Sequence, residues 1–226
     1  MSDVFDGLPR NHFGAILADP PWHFQTYSRG RIGGVNNTNP IPVFTPCRAP
    51  DYRTMDAEEI FSLPIKDFAS DDSVLFLWIC WPNLKVSLEA IEKWGFIYKT
   101  CAFSWMKADN RQPHFFQEEL KADMKLGYWT RANSEVCLLA TRGRPKRLNA
   151  DVRQGIIAPA REHSRKPDGI HERIERLVAG PYLELFARQK REGWTTWGNE
   201  LEKFPEVKRD EWSDMWAKPF DKPELL

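Results

Sequence analysis

Phe13-Gly14-Ala15-Ile16-Leu17-Ala18-Asp19-Pro20-Pro21-Trp22 is the stretch on which the reading of this chain turns. Its first six residues are an apolar run that stops at a polar turn, the pattern of a buried strand. In open α/β sheets, functional groups collect where strands end at their carboxyl edge. Two consecutive prolines fix the backbone there and remove two amide donors. The Asp19 carboxylate and the Pro20 carbonyl are left as acceptors, with the aromatic plane of Trp22 alongside.

Acceptors beside an aromatic plane suit a planar group that carries an exocyclic amine. An adenine turned out of a nucleic acid fits: its amine donates two hydrogen bonds and its ring can stack on Trp22. The amine's lone pair is delocalised into the ring, so it is a poor nucleophile. Two acceptors out of the ring plane favour a tetrahedral nitrogen and localise that pair. A sulfonium methyl donor held in line would complete a transfer, largely through positioning. The same four residues also suit a tight proline turn capping a core strand, with Trp22 as core.

Composition sets the frame. With 226 residues and 42% hydrophobic content, the chain fits one domain with a substantial core. The 32 Lys and Arg balance the 32 Asp and Glu, so there is no global electrostatic case for a polyanion partner. Ten tryptophans are many, and some are candidates for ring stacking. Cys47, Cys80, Cys101 and Cys137 have no zinc-type spacing and read as free thiols of a reducing compartment. The start carries no signal-peptide pattern and no run approaches transmembrane length, so a cytoplasmic protein without membrane contact is expected.

Outward from the opening strand, residues 23–50 are rich in glycine, asparagine and proline and read as a long insertion loop, a mobile lid or binding loop. Asp56-Ala57-Glu58-Glu59-Ile60 predicts a helix start with acidic residues in its first turn. Val74–Cys80 predicts a strand covered on both faces. A helix follows, from Pro82 to Gly95. Strands are predicted over Phe96–Met106, Val136–Ala140 and Tyr182–Ala187, and a helix over Pro167–Val178. Strands alternating with helices predict an α/β fold with a largely parallel sheet. The charged tail holds Trp212 and Trp216 one helical turn apart, as in a short docked helix.

A second constellation lies late in the chain. Ser164-Arg165-Lys166-Pro167 leads into a helix, where Lys166 could hold a carboxylate beside helix N-terminal amides. Glu184, Arg188, Asn199 and Glu200 offer partners for a ribose and an amine at a sheet's carboxyl edge.

Taken in order, these segments resemble one family. The matching text is Ala18–Trp22, Tyr52-Arg53-Thr54-Met55, Leu75–Trp78, Trp94-Gly95-Phe96, Ser104–Lys107 and the Glu135 strand. It continues through Ser164–Asp168, Ile174–Leu177, Glu184–Arg188 and Trp197–Leu201. The chain is similar, over about residues 13 to 203, to the MT-A-type adenine-N6 methyltransferases, named for a seventy-kilodalton methyltransferase-A subunit. The resemblance implies a Rossmann-like methyltransferase fold over residues 1–203, with a tail (204–226) packed on it. It implies S-adenosylmethionine as cofactor and no metal. By position, Asp19, Pro20, Pro21 and Trp22 match the catalytic motif. Tyr52, Glu135 and Lys166 match the substrate and methionine ends of the pocket. Asp19, Lys166, Arg188, Asn199 and Glu200 match cofactor-binding positions. Glutamine stands in the eukaryotic enzyme where this chain has Glu200, and a carboxylate cannot donate.

The resemblance favours DNA as the substrate, with RNA or a catalytically silent partner subunit as alternatives, and it admits a homo- or hetero-dimer. The intact Asp19-Pro20-Pro21-Trp22 argues against silence. Four basic stretches are candidates for a phosphate track: Arg29–Arg31, Arg142–Arg153, Arg161–Lys166 and Arg188–Arg191.

Overall fold

Strand β1 (Phe13–Ala18) lies inside a seven-stranded sheet, flanked by two parallel neighbours. The computed structural model describes residues 5–23, 27–30, 43–46, 53–108, 132–162 and 165–208. Its helices are α1 (Ala57–Phe61), α2 (Ile65–Phe68), α3 (Leu84–Lys93) and α4 (Gly169–Leu177). The further strands are β2 (Tyr27–Gly30), β3 (Val43–Pro46), β4 (Ala69–Ile79), β5 (Ile97–Ala108), β6 (Ser134–Arg142), β7 (Gly155–Pro159), β8 (Tyr182–Leu185) and β9 (Trp194–Trp197).

The main sheet runs β7-β5-β6-β4-β1-β8-β9. β6 is antiparallel to both β4 and β5, and the other pairings are parallel. This is the α/β, largely parallel sheet that the alternation predicted, in a Rossmann-like arrangement. From β1 the chain proceeds to β4 on one side, whereas α4 leads back to β8 on the other. The order therefore reverses between β1 and β8, and a crevice at such a reversal is where open sheets bind ligands.

Alternation along the strands separates two cores. Phe13, Ile16 and Ala18 of β1 join Leu75, Leu77 and Ile79 of β4 on the face covered by α1 and α3. Ala15 and Leu17 join Val74, Phe76 and Trp78 on the face covered by α4, through Ile170 and Ile174. Each fully buried aliphatic or aromatic side chain contributes about 1.5–3 kcal/mol, so β1 is anchored from both sides. Continued by one residue, the same alternation turns Asp19 toward the α4 face.

Local signals explain several boundaries. Asp56 caps α1 in a full capping box with Glu59. α3 ends before Gly95, whose φ of +78° favours glycine. Pro82 sits in the short 3-10 turn Trp81–Asn83 that precedes α3. The sequence reading missed β7 and β9, short strands defined by their partners, and placed the start of β4 five residues late. It also read 23–50 as an unbroken loop, whereas β2 and β3 pair antiparallel within it. The rest of residues 24–52, with Cys47 and Tyr52, lies outside the described residues, as do Ser164, Trp212 and Trp216. Cys137 is buried, and Cys80 and Cys101 are half-buried free thiols. Among the described residues, no helix is long and apolar enough to cross a membrane.

Candidate active site

The chain turns sharply after β1. The Trp22 amide donates to the Pro20 carbonyl at 2.7 Å, and the Met55 amide donates to the Pro21 carbonyl at 2.9 Å. The Pro20 carbonyl keeps one lone pair for an incoming donor. Trp22 is 4% exposed, and its indole N–H donates to the Trp78 carbonyl at 2.8 Å. The ring expected to stack a base is thus packed in the core, and it holds the proline turn against β4. An indole N–H in a core needs such an acceptor.

Asp19 opens into a solvent-open cleft at the reversal point. Asp19, Lys166 and Arg188 line it together, with Trp78, Gln189 and Phe204. Lys166, three residues before α4, reaches across the cleft. Its Nζ lies 2.6 Å from Asp19 Oδ2 and 3.3 Å from Glu135 Oε2, and 5.5 Å from the centre of the Trp78 ring. Lys107, at the end of β5, pairs with the other oxygen of Glu135.

Charge environment follows from this geometry. Burial raises the Asp19 carboxyl, and Lys166 offsets that only in part, because Glu135 stands nearby as a like charge. Burial acts against the Lys166 ammonium, but Asp19 and Glu135 overcome it and hold the lysine above its ordinary value. For Glu135 burial is again adverse, yet Lys166 and Lys107 outweigh it and hold the carboxyl low. The partners of one pair thus shift differently because Lys166 meets two carboxylates and Asp19 meets one close ammonium. Cys80 lies in the same field. Burial, then Glu135, pushes its thiol up to about 11, so it stays protonated and is no nucleophile at neutral pH.

The far end of the cleft is built from the segments after β8 and β9. Phe186, directly after β8, has φ +63°, uncommon for an aromatic residue, and its ring meets Trp197 edge to face at 5.8 Å. That turn carries Arg188 and Gln189 into the cleft. Gly198 lets the strand end after β9 press on this segment: a Cβ there would lie 2.2 Å from the Ala187 carbonyl oxygen. Glu200 pairs with Arg188 at 3.2 Å and with Lys203 at 2.6 Å, so its charge is answered. Asn199 is exposed beside them and does not line the cleft described above.

Sequence reading assigned no role to several of these groups. Asp168, 7% exposed, gathers Arg161 at 2.6 Å, Arg165 at 3.5 Å and Arg191 at 3.6 Å. Burial alone would raise its carboxyl, but the Arg161 hydrogen bond and the neighbouring guanidinium groups hold it low. His171 of α4 is bonded to Glu184 at 2.8 Å. Arg165 stacks over Phe204, 4.6 Å from the ring centre. Gln189 is 8% exposed, and its Oε1 has no hydrogen-bond partner among the described residues. Arg161 and Arg165 reach Asp168 within one short segment, whereas the Arg191, Glu184 and Phe204 contacts bring together segments further apart in the chain. The basic stretches are also partly spent inside the fold. Arg142 donates to the Lys66 carbonyl at 2.7 Å, and Arg161, Arg165 and Arg191 surround Asp168.

Comparison with known proteins agrees with this architecture. The sequence pattern of the MT-A70 family matches residues 13–200. The Type II methyltransferase M.MunI of Mycoplasma sp is 30% identical over 207 residues, which are 89% of this chain and 83% of that protein. The N(6)-adenosine-methyltransferase MT-A70-like protein of Arabidopsis thaliana is 28% identical over 84% of this chain and 24% of its own length. The N(6)-adenosine-methyltransferase catalytic subunit METTL3 of Homo sapiens is 28% identical over 84% of this chain and 28% of its own length. The chain thus spans most of the Mycoplasma enzyme and about a quarter of the plant and human ones. The matched region runs from the strand that presents Asp19 to the segment that closes on Arg188, and on that ground this chain belongs to the MT-A70 family.

Proposed function

We propose that this chain transfers a methyl group from S-adenosylmethionine to the N6 amine of adenine in nucleic acid, with DNA as the substrate. The observation that carries the reading is Asp19 at the carboxyl end of β1, with the Pro20 carbonyl beside it and a cation-lined cleft at its back. The residues of the cleft fit a zwitterionic, hydroxylated donor. Lys166 suits its carboxylate and Asp19 its ammonium. Arg188 and the unsatisfied Gln189 Oε1 suit its hydroxyl-bearing ring. When bound, such a donor supplies an electrophilic methyl on a positively charged sulfur.

The chain's own residues do the remaining work. Asp19 and the Pro20 carbonyl accept the two amine hydrogens and orient the nitrogen lone pair. Pro21, without an N–H, adds no competing donor. Asp19 is also the nearest base for the proton that the methylated nitrogen sheds. This geometry concerns positioning and charge placement, not a covalent intermediate.

DNA is favoured because the relative matched over most of its length is named a Type II methyltransferase. The relatives named for adenosine are far longer than the region they share. A tritiated-methyl transfer assay offering duplex DNA, single-stranded DNA and RNA side by side tests this. Label in DNA is expected. Label in RNA alone overturns the choice of polymer, and label in neither overturns the reaction.

With Trp22 buried, an exposed aromatic face at this edge belongs to Trp81. β4 pairs Leu77 with Ala18 on one side and Ile79 with Val136 on the other. Two residues on, Trp81 stands beside Ser134, its N–H 3.4 Å from the hydroxyl, and is 53% exposed. Trp81→Ala is expected to raise the KM for an oligonucleotide roughly 5- to 100-fold, the scale of one lost base stack. Donor affinity should not change. An unaltered KM for the oligonucleotide would remove Trp81 from the substrate path.

A further inference from the structure

Lys107 takes no part in the reaction as derived above, yet it is the outer member of a row of alternating charges. It shares the α4 face of β5 with Trp105, whose ring centre lies 5.0 Å from its ammonium. Its Nζ donates to Glu135 Oε1. Glu135 Oε2 lies 3.3 Å from the Lys166 ammonium, which lies 2.6 Å from Asp19 Oδ2. The row is Lys107–Glu135–Lys166–Asp19, drawn from β5, β6, the segment before α4 and the end of β1. All four side chains are at most 30% exposed, so water screens these contacts less than it would at a surface.

In the structure Lys166 rests on Asp19. To meet a donor carboxylate, Lys166 must loosen that contact without being drawn wholly onto Glu135. We propose that Lys107 is a positioning residue that, by occupying one oxygen of Glu135, limits this carboxylate's hold on Lys166 and keeps the lysine available to the donor. The proposal rests on the methyl-transfer reading of the site. Without Lys107, the full charge of Glu135 is directed at Lys166, and the cleft becomes more negative where an anionic group must bind. Asp19 is affected through the same row. It faces Lys166, Glu135, Arg188 from the segment after β8, Cys80 from the end of β4 and the buried Cys137 of β6. Lys107 bears on Asp19 only through Glu135: without Lys107 that like charge is less neutralised, and the Asp19 carboxylate is harder to maintain.

The test is a double-mutant cycle on the full chain with Lys107→Met, Glu135→Gln and both together, and with Lys107→Arg as the conservative control. S-adenosylmethionine affinity is read by calorimetry. The acidic limb of kcat/KM is read for the active variants. Lys107→Met is expected to weaken donor affinity about 10-fold and to move the acidic limb upward. Lys107→Arg should stay near the wild type. In the Glu135→Gln background, Lys107→Met should cost little, because the carboxylate it restrains is gone. A merely structural lysine would lower thermal stability in both backgrounds and leave the acidic limb in place. Equal losses of affinity in the two backgrounds, or native affinity in Lys107→Met, overturn the proposal. A wild type that binds the donor but methylates no polynucleotide overturns the functional reading instead, and the calorimetric cycle still reports on Lys107.

Discussion

Asp19→Ala is expected to lower methyl transfer by at least about 100-fold while the fold survives, with a smaller loss of donor affinity from the ammonium contact. The magnitude is that of removing one group aimed at developing charge in a preorganised site. The fold should hold because Lys166 keeps Glu135 at 3.3 Å when Asp19 is gone, so no buried cation is stranded. Asp19 also sits at the end of β1 rather than inside either core. Its carboxyl is raised by burial, so the free enzyme should lose kcat/KM on the acid side at a pH above the ordinary aspartate range. Asp19→Asn keeps the shape but offers one acceptor and two unwanted donors, and should share the defect without the acid limb. Turnover within about 3-fold of wild type in both variants would remove Asp19 from the chemistry.

Lys166→Met is expected to be the most damaging single change to stability among the site residues. It leaves Asp19 and Glu135 facing one cleft without the cation they share. Breaking a buried pair in this way costs about 3–5 kcal/mol. The lower end applies here, because Lys107 still pairs with Glu135 and the Asp19 side chain is 30% exposed. For a chain of this length a loss of about 3 kcal/mol lowers Tm by roughly 6–12 °C.

The pH dependence has a definite sign. Lys166 is raised in the fold, so its contribution is complete below the ordinary lysine range and is lost as pH rises through the folded value. Glu135 is lowered, so its contribution is present above the ordinary glutamate value and is lost as pH falls through the folded one. The gap in Tm between wild type and variant should therefore be widest through the neutral range and close in acid. Adding Asp19→Asn to Lys166→Met should restore part of the loss by removing the carboxylate left without its close cation, because Glu135 keeps Lys107. Thermal melts from pH 3 to pH 9 check this, and a gap independent of pH would refute the shared-cation account.

Residues 13–22 show what could be read locally. The apolar run had to be a buried strand, and two prolines had to end it with acceptors exposed. Asp56 and Glu59 spelled out a helix start through a capping box whose members are three residues apart. The heptad-free alternation of strands and helices gave the α/β class. Even the two-sided burial of β4 was legible from its nearly continuous apolar run. Such features involve neighbours in the chain, whose geometry the backbone fixes.

Other features needed the folded chain. Lys166 meets Asp19 across 147 positions of sequence, and the lysine stands before a helix that folds back beside the first strand. Nothing local to either residue says that Glu135 and Lys107 will complete the row. The antiparallel placement of β6, and the existence of β7 and β9 as strands, depend on partners that supply their hydrogen bonds. The tryptophans make the same point. Trp22 and Trp81 each follow a core strand by a few residues and look alike in sequence. Strand register decides that Trp22 is covered and bonded to the Trp78 carbonyl, while Trp81 stands open beside Ser134. The sequence determined that this chain would present Asp19 and a proline turn at a sheet edge. Which cation answers Asp19, and which aromatic ring faces the solvent there, was decided by long-range packing, because charge and burial depend on what arrives from elsewhere in the chain.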